Sequence, residues 1–415
     1  MTLSEELQWR GFVHQSTLED LAQLDKQAQV FYHGFDASAD SQTIGNLAAM
    51  MFDKVFMRHD WKAVILAGGA TSLIGDPGGK DKERILQTEE TIAENVHKAE
   101  QQLKKVFGDS EFTLVNNLDW TRGMTVLDFL RDIGKHFSMT PLVQRDYIAK
   151  RIGEGGTGIT YTEFSYTLLQ GMDFLHLYDN YEVTMQLGGS DQWGNQLSGV
   201  ELVRKARGAE AHTMTMPLII NKATGKKFGK SEDGAVWLDE TKTSVYKFYQ
   251  FWINIDDEGV EGYLKIYSEL DKESVDSIMA EHNQDHSKRV AQKRLAYEVT
   301  KVVHGEPRAG SVQKLSEVLF GGDDYEKLTA ADFAELKSEL KTVQAKVETT
   351  MIDLLVDAGL ATSKGEARRF MSGRAVYVNG QQAADDKQSL ASDDFIDGFC
   401  VLRRGKNATA LVELG

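Results

Sequence analysis

Short apolar strands alternate with helical segments through the first half of this chain, and that alternation restricts its fold more than any other feature. Residues 30–36 read as a strand ending in a Gly turn, and residues 42–58 as a helix with Ser41 as its N-cap. Lys62–Ala67, Phe112–Val115 and Val183–Leu187 are further short strands. Helices are expected at about 88–107, Val126–Phe137, Glu163–Tyr178 and Ser190–Ala206. Alternation of this kind builds a parallel sheet with helices on both faces. The run Gly68–Gly79 is too rich in glycine for a helix interior, so it reads as a loop.

The pattern changes downstream. Past Ser231 it is mostly helical to about residue 320, and Gly321-Gly322-Asp323-Asp324 opens a linker. The expected organisation is an α/β domain at 1–222 and an α-helical domain at 223–322, where the lysine-rich loop begins. A charged, partly helical linker follows at 323–348, then a small α+β unit at 349–415. That last unit should hold helices at 351–359 and 363–372 and strands at Ala375–Val378, Phe399–Leu402 and Ala410–Glu413.

Charge narrows the function classes. The net charge of −16 argues against a general nucleic-acid binder, because phosphate contacts supply most of that affinity. The excess lies entirely in the first 340 residues; from Lys341 onward ten basic residues balance ten acidic ones. RNA contact would therefore rest on local patches. Cys400 is the single cysteine, so neither an internal disulfide nor a multi-cysteine metal site can form. No apolar run approaches membrane-spanning length, and the acidic start Met1-Thr2-Leu3-Ser4-Glu5-Glu6 lacks the order of a signal peptide. A cytoplasmic protein without membrane contact is expected.

Five segments carry candidate chemistry in the first 231 residues. In the first, Thr43 and Asn46 stand three apart on the opening turn of a helix, with Gly45 admitting a ligand to the backbone. In the second, a Gly-rich run ends at Asp76, with Lys80 and Arg84 beyond it. Those two cations suit phosphates, and the carboxylate suits an ammonium or a metal. In the third, Tyr166, Gln170 and Asp173 form a polar stripe on an otherwise apolar helix. The fourth is Gln186–Asn195, a strand running into a Gly-Gly turn, where Asp191 could accept from a ribose. The fifth is Lys226-Lys227-Phe228-Gly229-Lys230-Ser231, two lysines flanking a Gly turn and able to swing onto a triphosphate. Taken one at a time, four of the five have an ordinary structural explanation: a capped helix for the first, a crossover loop for the second, a solvated face for the third and an exposed lysine loop for the fifth.

The C-terminal unit adds Lys364, Arg368 and Arg369 on one helix, and Arg403, Arg404 and Lys406 at a basic turn. Both groups could contact RNA phosphates. A solvated charged surface is the competing explanation.

Together these segments resemble the bacterial-type tyrosyl-tRNA synthetases, a class I family. The resemblance runs in order through Tyr32–Asp36, Gly68–Pro77, Phe129–Ser138, Thr162–Asp173, Gln186–Asn195, Lys227–Ser231, Tyr246–Asn254 and Val378–Gly380 with Arg403–Lys406. It implies a Rossmann-like catalytic domain, a helical domain and an RNA-binding C-terminal domain like one in a ribosomal small-subunit protein. It also implies a homodimer, tRNA(Tyr), L-tyrosine and ATP as partners, and Mg2+ travelling with the triphosphate, without a metal site of the protein's own.

Residue by residue, the resemblance implies Tyr32 and Asp173 at the phenolic hydroxyl of tyrosine. Asp76, Tyr166 and Gln170 would hold the ammonium group, and Gln192 would lie near the carboxylate. Asp36, Gly189 and Asp191 would face the nucleotide, with Gly45 beside it. Thr43 and Asn46 would sit at the first signature, Lys227, Lys230 and Ser231 at the second, and Lys80 and Arg84 at the pyrophosphate. Arg204, Lys205 and Arg207 would touch the acceptor stem. The chain departs from the family at the first signature, where Thr43-Ile44-Gly45-Asn46 replaces His-Ile-Gly-His. His33 and Ala37 also replace the usual Cys and Pro. Two functions are thus expected in order: an active tyrosine–tRNA ligase, or a synthetase-like paralogue that binds tyrosine or RNA without efficient charging.

Overall fold

The computed structural model describes residues 1–75, 87–222, 225, 228–231, 234–321, 325–346, 349–383, 389–405 and 408–415. Two compact units are present: Met1–Lys242 with Ile255–Val303, and Thr243–Asn254 with His304–Gly415. The helical stretch expected as one domain at 223–322 is thus shared between them.

The first unit is built on a six-stranded sheet of order β1-β6-β5-β2-β3-β4. The strands are β1 (Gln15–Ser16), β2 (Val30–Phe35), β3 (Lys62–Ala67), β4 (Phe112–Asn116), β5 (Val183–Gly189) and β6 (His212–Met216). All pairs are parallel except β1 with β6. β3 is buried at every position after Lys62, as a strand covered on both faces must be. From β2 the chain winds to β3 and β4 on one side, and β5 and β6 fill the other. The order therefore reverses between β2 and β5, and open α/β sheets bind ligands outside the strand ends at such a point.

Helix Ile44–Arg58 follows β2, with Thr43, rather than Ser41, at its N-cap. Gly69–Ile74 is helical, against the loop expected there. The reason is packing: a Cβ on Gly69 would lie 2.2 Å from Asn116 Oδ1, so the glycine serves close approach. Helix Tyr161–Tyr181 starts at a capping box between Thr160 and Glu163, and Glu163 also pairs with Arg151 at 2.7 Å. Ser190–Gln192 is a 3-10 turn before helix Trp193–Arg207. β6 was not expected from the sequence; its Thr213 and Thr215 are polar yet fully buried. Two strands of a hairpin, β7 (Lys230–Ser231) and β8 (Gly234–Ala235), complete the sheet elements of this unit.

The second unit carries a five-stranded sheet of order β11-β10-β12-β13-β9. These are β9 (Thr342–Ala345), β10 (Val376–Val378), β11 (Gln381–Gln382), β12 (Phe399–Arg404) and β13 (Ala408–Leu414). Its core includes Met351, Leu354, Leu355, Cys400, Leu402 and Val412. The stretch 323–348, expected as a linker, contributes helix Ala330–Glu339 and the edge strand β9, which pairs in parallel with β13. No helix among the described residues is long and apolar enough to cross a membrane.

Candidate active site

A cavity of about 320 Å3 opens at the carboxyl ends of β2 and β5. Tyr32, Asp36, Asn46, Tyr166, Gln170, Asp173, Asp191 and Gln192, all expected site residues, line it together. They come from β2 and the turn after it, the Ile44–Arg58 and Tyr161–Tyr181 helices and the turn after β5, so the polar stripe on helix Tyr161–Tyr181 faces the cavity.

Asp173 is almost fully buried. Its carboxylate accepts from Asn117 Nδ2 and Trp120 Nε1, each at 2.9 Å. Burial pushes its pKa up to about 7; the two hydrogen bonds oppose that rise and the charge of Asp36 adds to it. Tyr32 is wholly buried and packs edge-on against Phe174 at 5.1 Å. Burial, then the charge of Asp173, holds its phenol well above the ordinary range. Its hydroxyl has no hydrogen-bond partner among the described residues, nor have Gln170 Oε1 and Gln186 Oε1. Three buried, unsatisfied polar atoms on one cavity mark a place for a polar ligand, because such groups are otherwise almost always paired.

Asp36 accepts from Tyr166 Oη at 3.0 Å and from Thr71 Oγ1 at 2.9 Å. Gly188 and Gly189 give close backbone approach: added Cβ atoms would meet Gln196 Nε2 at 2.2 Å and Asp191 Oδ1 at 2.7 Å. Gln192 Oε1 accepts from Asn195 at 3.2 Å. His33 and Asp53 also border the cavity, bonded through Nδ1 and Oδ1 at 2.7 Å. Burial works against the His33 imidazolium, but the charge and hydrogen bond of Asp53 outweigh it and raise its pKa. Burial raises the Asp53 carboxyl as well, against the pull of His33.

The first signature caps its own helix. Asn46 Oδ1 accepts from the Thr43 amide at 3.0 Å and from Thr43 Oγ1 at 2.8 Å. Gly45 lies between them, its added Cβ only 3.5 Å from Thr43 Oγ1. The backbone flanking the second signature docks on this same turn. Val236 O accepts from Ile44 N at 3.1 Å, Gly229 O accepts from Val236 N at 3.1 Å, and Gln42 O accepts from Leu238 N at 2.9 Å. Lys230 and Ser231 lie on β7 beside this contact. Asp76, Lys80, Arg84 and Lys227 lie outside the described residues.

Comparison with known proteins decides the family. The model of "tRNA synthetases class I (W and Y)" matches residues 25–321, and that of the "Tyrosine--tRNA ligase SYY-like C-terminal domain" matches 332–412. The chain belongs to the class I tRNA synthetases of the tyrosyl and tryptophanyl group. A relative from Bacillus cereus, Tyrosine--tRNA ligase 2, is 43% identical over 424 residues, covering 100% of both chains. Among solved structures, a C-terminally truncated mitochondrial tyrosyl-tRNA synthetase of Aspergillus nidulans has a TM-score of 0.69 at 31% identity, covering 77% of this chain and 94% of that one. Its Coccidioides posadasii counterpart has a TM-score of 0.67 at 30% identity, covering 76% and 91%.

Of the basic residues expected to meet tRNA, Arg204, Lys205, Arg207, Lys364, Arg368 and Arg369 are exposed and Arg403 and Arg404 are half-buried in this synthetase-family chain, and most of them are engaged locally. Arg204 pairs with Glu201 at 2.7 Å, Lys205 donates to His136 O at 2.8 Å, and Arg207 pairs with Asp179 at 2.6 Å. In the C-terminal unit Lys364 pairs with Asp353 at 2.6 Å, while Arg368 and Arg369 are exposed. Arg403 lies 4.4 Å over the Tyr377 ring and Arg404 4.9 Å over Phe370. Lys406 is outside the described residues. Asn117, Trp120, Thr71, Gln186 and the His33–Asp53 pair were absent from the expected site list. Gln186 sits inside a motif already singled out, but nothing local marks Asn117 or Trp120 as partners of Asp173.

Proposed function

We infer that this chain is a tyrosine–tRNA ligase, which joins L-tyrosine and ATP into tyrosyl-adenylate and pyrophosphate and then passes the tyrosyl group to the 3′-terminal ribose of tRNA(Tyr). The buried, unpartnered hydroxyl of Tyr32 beside Asp173 carries the substrate assignment. A phenol entering this cavity satisfies that hydroxyl and meets a carboxylate already oriented by Asn117 and Trp120. Phenylalanine would leave both groups desolvated and unpaired, which costs about 1–3 kcal/mol per group.

In this assignment Tyr166, Gln170 and Asp76 receive the ammonium group and Gln192 the carboxylate. Asp36, Gly189 and Asp191 face the nucleotide. The bond from Tyr166 to Asp36 links the two substrate ends. The tyrosine carboxylate attacks the α-phosphorus in line and pyrophosphate leaves. Asn46 and Thr43 at a helix N-terminus, with Lys227, Lys230, Ser231, Lys80 and Arg84, would follow the negative charge onto the leaving group. Stabilisation of that charge, strongest in the transition state, is the catalytic contribution; no imidazole proton transfer is needed. Mg2+ would accompany the triphosphate, for which hard oxygen ligands and retained water suffice.

A homodimer in the cytoplasm is part of the same proposal. Val126, Leu127 and Leu130 are exposed beside a π-helical turn at Phe129–Ile133, a surface that a second copy would cover. Sedimentation at micromolar protein would return twice the 46.3 kDa chain mass.

Tyrosine-dependent ATP–pyrophosphate exchange, followed by charging of tRNA(Tyr), tests the activity. Exchange with tyrosine and none with phenylalanine or tryptophan is expected. A folded chain that binds tyrosine without exchange would instead be the non-charging paralogue.

A further inference from the structure

The helical part of the first unit holds a second cluster of chemistry-bearing side chains, remote from every residue of the cavity in sequence. Asp257 lies just before helix Val260–Tyr267, His282 ends helix Lys272–His282, and His286 begins the following 3-10 turn. One potential ligand atom from each of the three falls within 4.8 Å of the others. We propose that Asp257, His282 and His286 bind a divalent transition metal of the zinc class.

Burial supports this first. His282 is 1% exposed, and neither ring nitrogen has a hydrogen-bond partner. Its Nε2 faces Asp257 Oδ1 at 3.3 Å without the alignment of a hydrogen bond. A buried imidazole with two unsatisfied nitrogens is costly, and a metal ion would relieve one of them. Distance supports it too. Ligand atoms at about 2.0–2.1 Å from a tetrahedral zinc stand about 3.3 Å apart. The His282–Asp257 contact has this length, and His286 Nδ1 lies 3.6 Å from Asp257 Oδ2.

The two imidazole rings stack with centroids 4.7 Å apart. Three residues separate them in sequence, a spacing common between paired zinc histidines. Asp257 is fixed by a hydrogen bond from Gln292 Nε2 at 2.5 Å, the kind of outer partner that orients a ligating carboxylate. Asp257 and His286 are both partly open to solvent, which leaves the fourth position to water. The metal would tie the entry of helix Val260–Tyr267 to the two helices after it. Tyr263 of that helix stacks on Phe228 at 4.2 Å, so the clip would brace the base of the lysine loop.

Cobalt(II) titrated into the full-length chain tests this directly, because four-coordinate cobalt absorbs visible light far more strongly than the hydrated ion. Saturable binding with that intense absorption is expected. His286→Ala and Asp257→Asn should each weaken it about tenfold or more, with unchanged circular dichroism. Zinc should raise the thermal midpoint of the wild-type chain and leave that of His286→Ala unmoved. Binding equal in wild type and both variants, or only the weak spectrum of six-coordinate cobalt, would overturn the site.

Discussion

The backbone amide of Ile44 donates to the carbonyl oxygen of Val236 at 3.1 Å. Nearly two hundred residues separate the two signatures in sequence, and this bond, with those from Val236 to Gly229 and from Leu238 to Gln42, joins them at one helix N-terminus. The lysine loop therefore has a fixed anchor beside the turn that holds Thr43 and Asn46.

Gly229 is the tightest point of that anchor. Its φ is +101°, and an added Cβ would lie 3.0 Å from Ile44 Cγ1. Gly229→Ala should cost about 1–3 kcal/mol in backbone strain and crowding, displacing Lys230. Pyrophosphate exchange is expected to fall about tenfold or more, with equilibrium tyrosine binding unchanged. Unaltered exchange in this variant would separate the loop from the chemistry.

Tyrosine affinity should depend on pH through Asp173. Its carboxyl is raised from 3.8 to about 7 by burial. The folded chain keeps this proton between about pH 4 and 7 while the unfolded chain loses it. The group's contribution to stability is therefore full below pH 4 and gone once pH has risen through 7. The ionised form is the better acceptor for a phenol, so the Kd for tyrosine should decrease from pH 6 to 8. Asp173→Asn should flatten that profile, which calorimetric titration would show.

Trp120→Phe removes one of the two donors that oppose the rise of Asp173. The midpoint of the same pH profile is expected to move upward, with little change in the overall fold. A profile identical to wild type would mean that the indole does not orient the carboxylate in solution.

Tyr32→Phe has opposite signs in the free and bound chain. Its hydroxyl is buried and unpaired in the free chain, so its removal should leave the thermal midpoint equal or higher. With tyrosine bound, one hydrogen bond is lost, worth about 0.5–1.5 kcal/mol. Discrimination against phenylalanine, read from the ratio of kcat/KM values in exchange, should fall about threefold to tenfold.

Asn46 caps its helix, and the proposed function gives it a phosphate contact as well; Asn46→Asp separates the two roles. A carboxylate still accepts from the Thr43 amide and suits a helix N-terminus, so stability should hold. It cannot donate to a phosphate and repels it. The KM for ATP should rise and exchange should fall by about tenfold to a hundredfold, an effect that charge-assisted hydrogen bonds of about 1.5–3 kcal/mol can account for. Asn46→Ala should instead lose about 1 kcal/mol of stability with the cap.

Strands β2, β3, β4 and β5 and the helix that carries Tyr166, Gln170 and Asp173 were legible from pattern alone, the strands within two residues at their ends and the helix within three. Apolar runs bounded by glycine, and a polar stripe at helical spacing, are local signals. β6 escaped because its buried residues include the polar Thr213 and Thr215; the Thr213 hydroxyl finds its partner only in the folded sheet, donating to Gln186 O at 3.0 Å. Gly69 was misleading for a related reason. Its lack of a side chain serves contact with Asn116, on a strand more than forty residues away, and not a turn.

By itself the sequence determined the alternating architecture, the family and the polar stripe of Tyr166, Gln170 and Asp173 that lines one cavity, because periodicity, capping and turn chemistry act over a few neighbours. Only the tertiary structure decided which of those residues became buried, unpaired or perturbed. Asn117 and Trp120 reach Asp173 across more than fifty residues, and Val236 meets Ile44 only because both return to the same end of the sheet. Burial and hydrogen-bond partnership follow from strand order, and no short window of sequence encodes strand order.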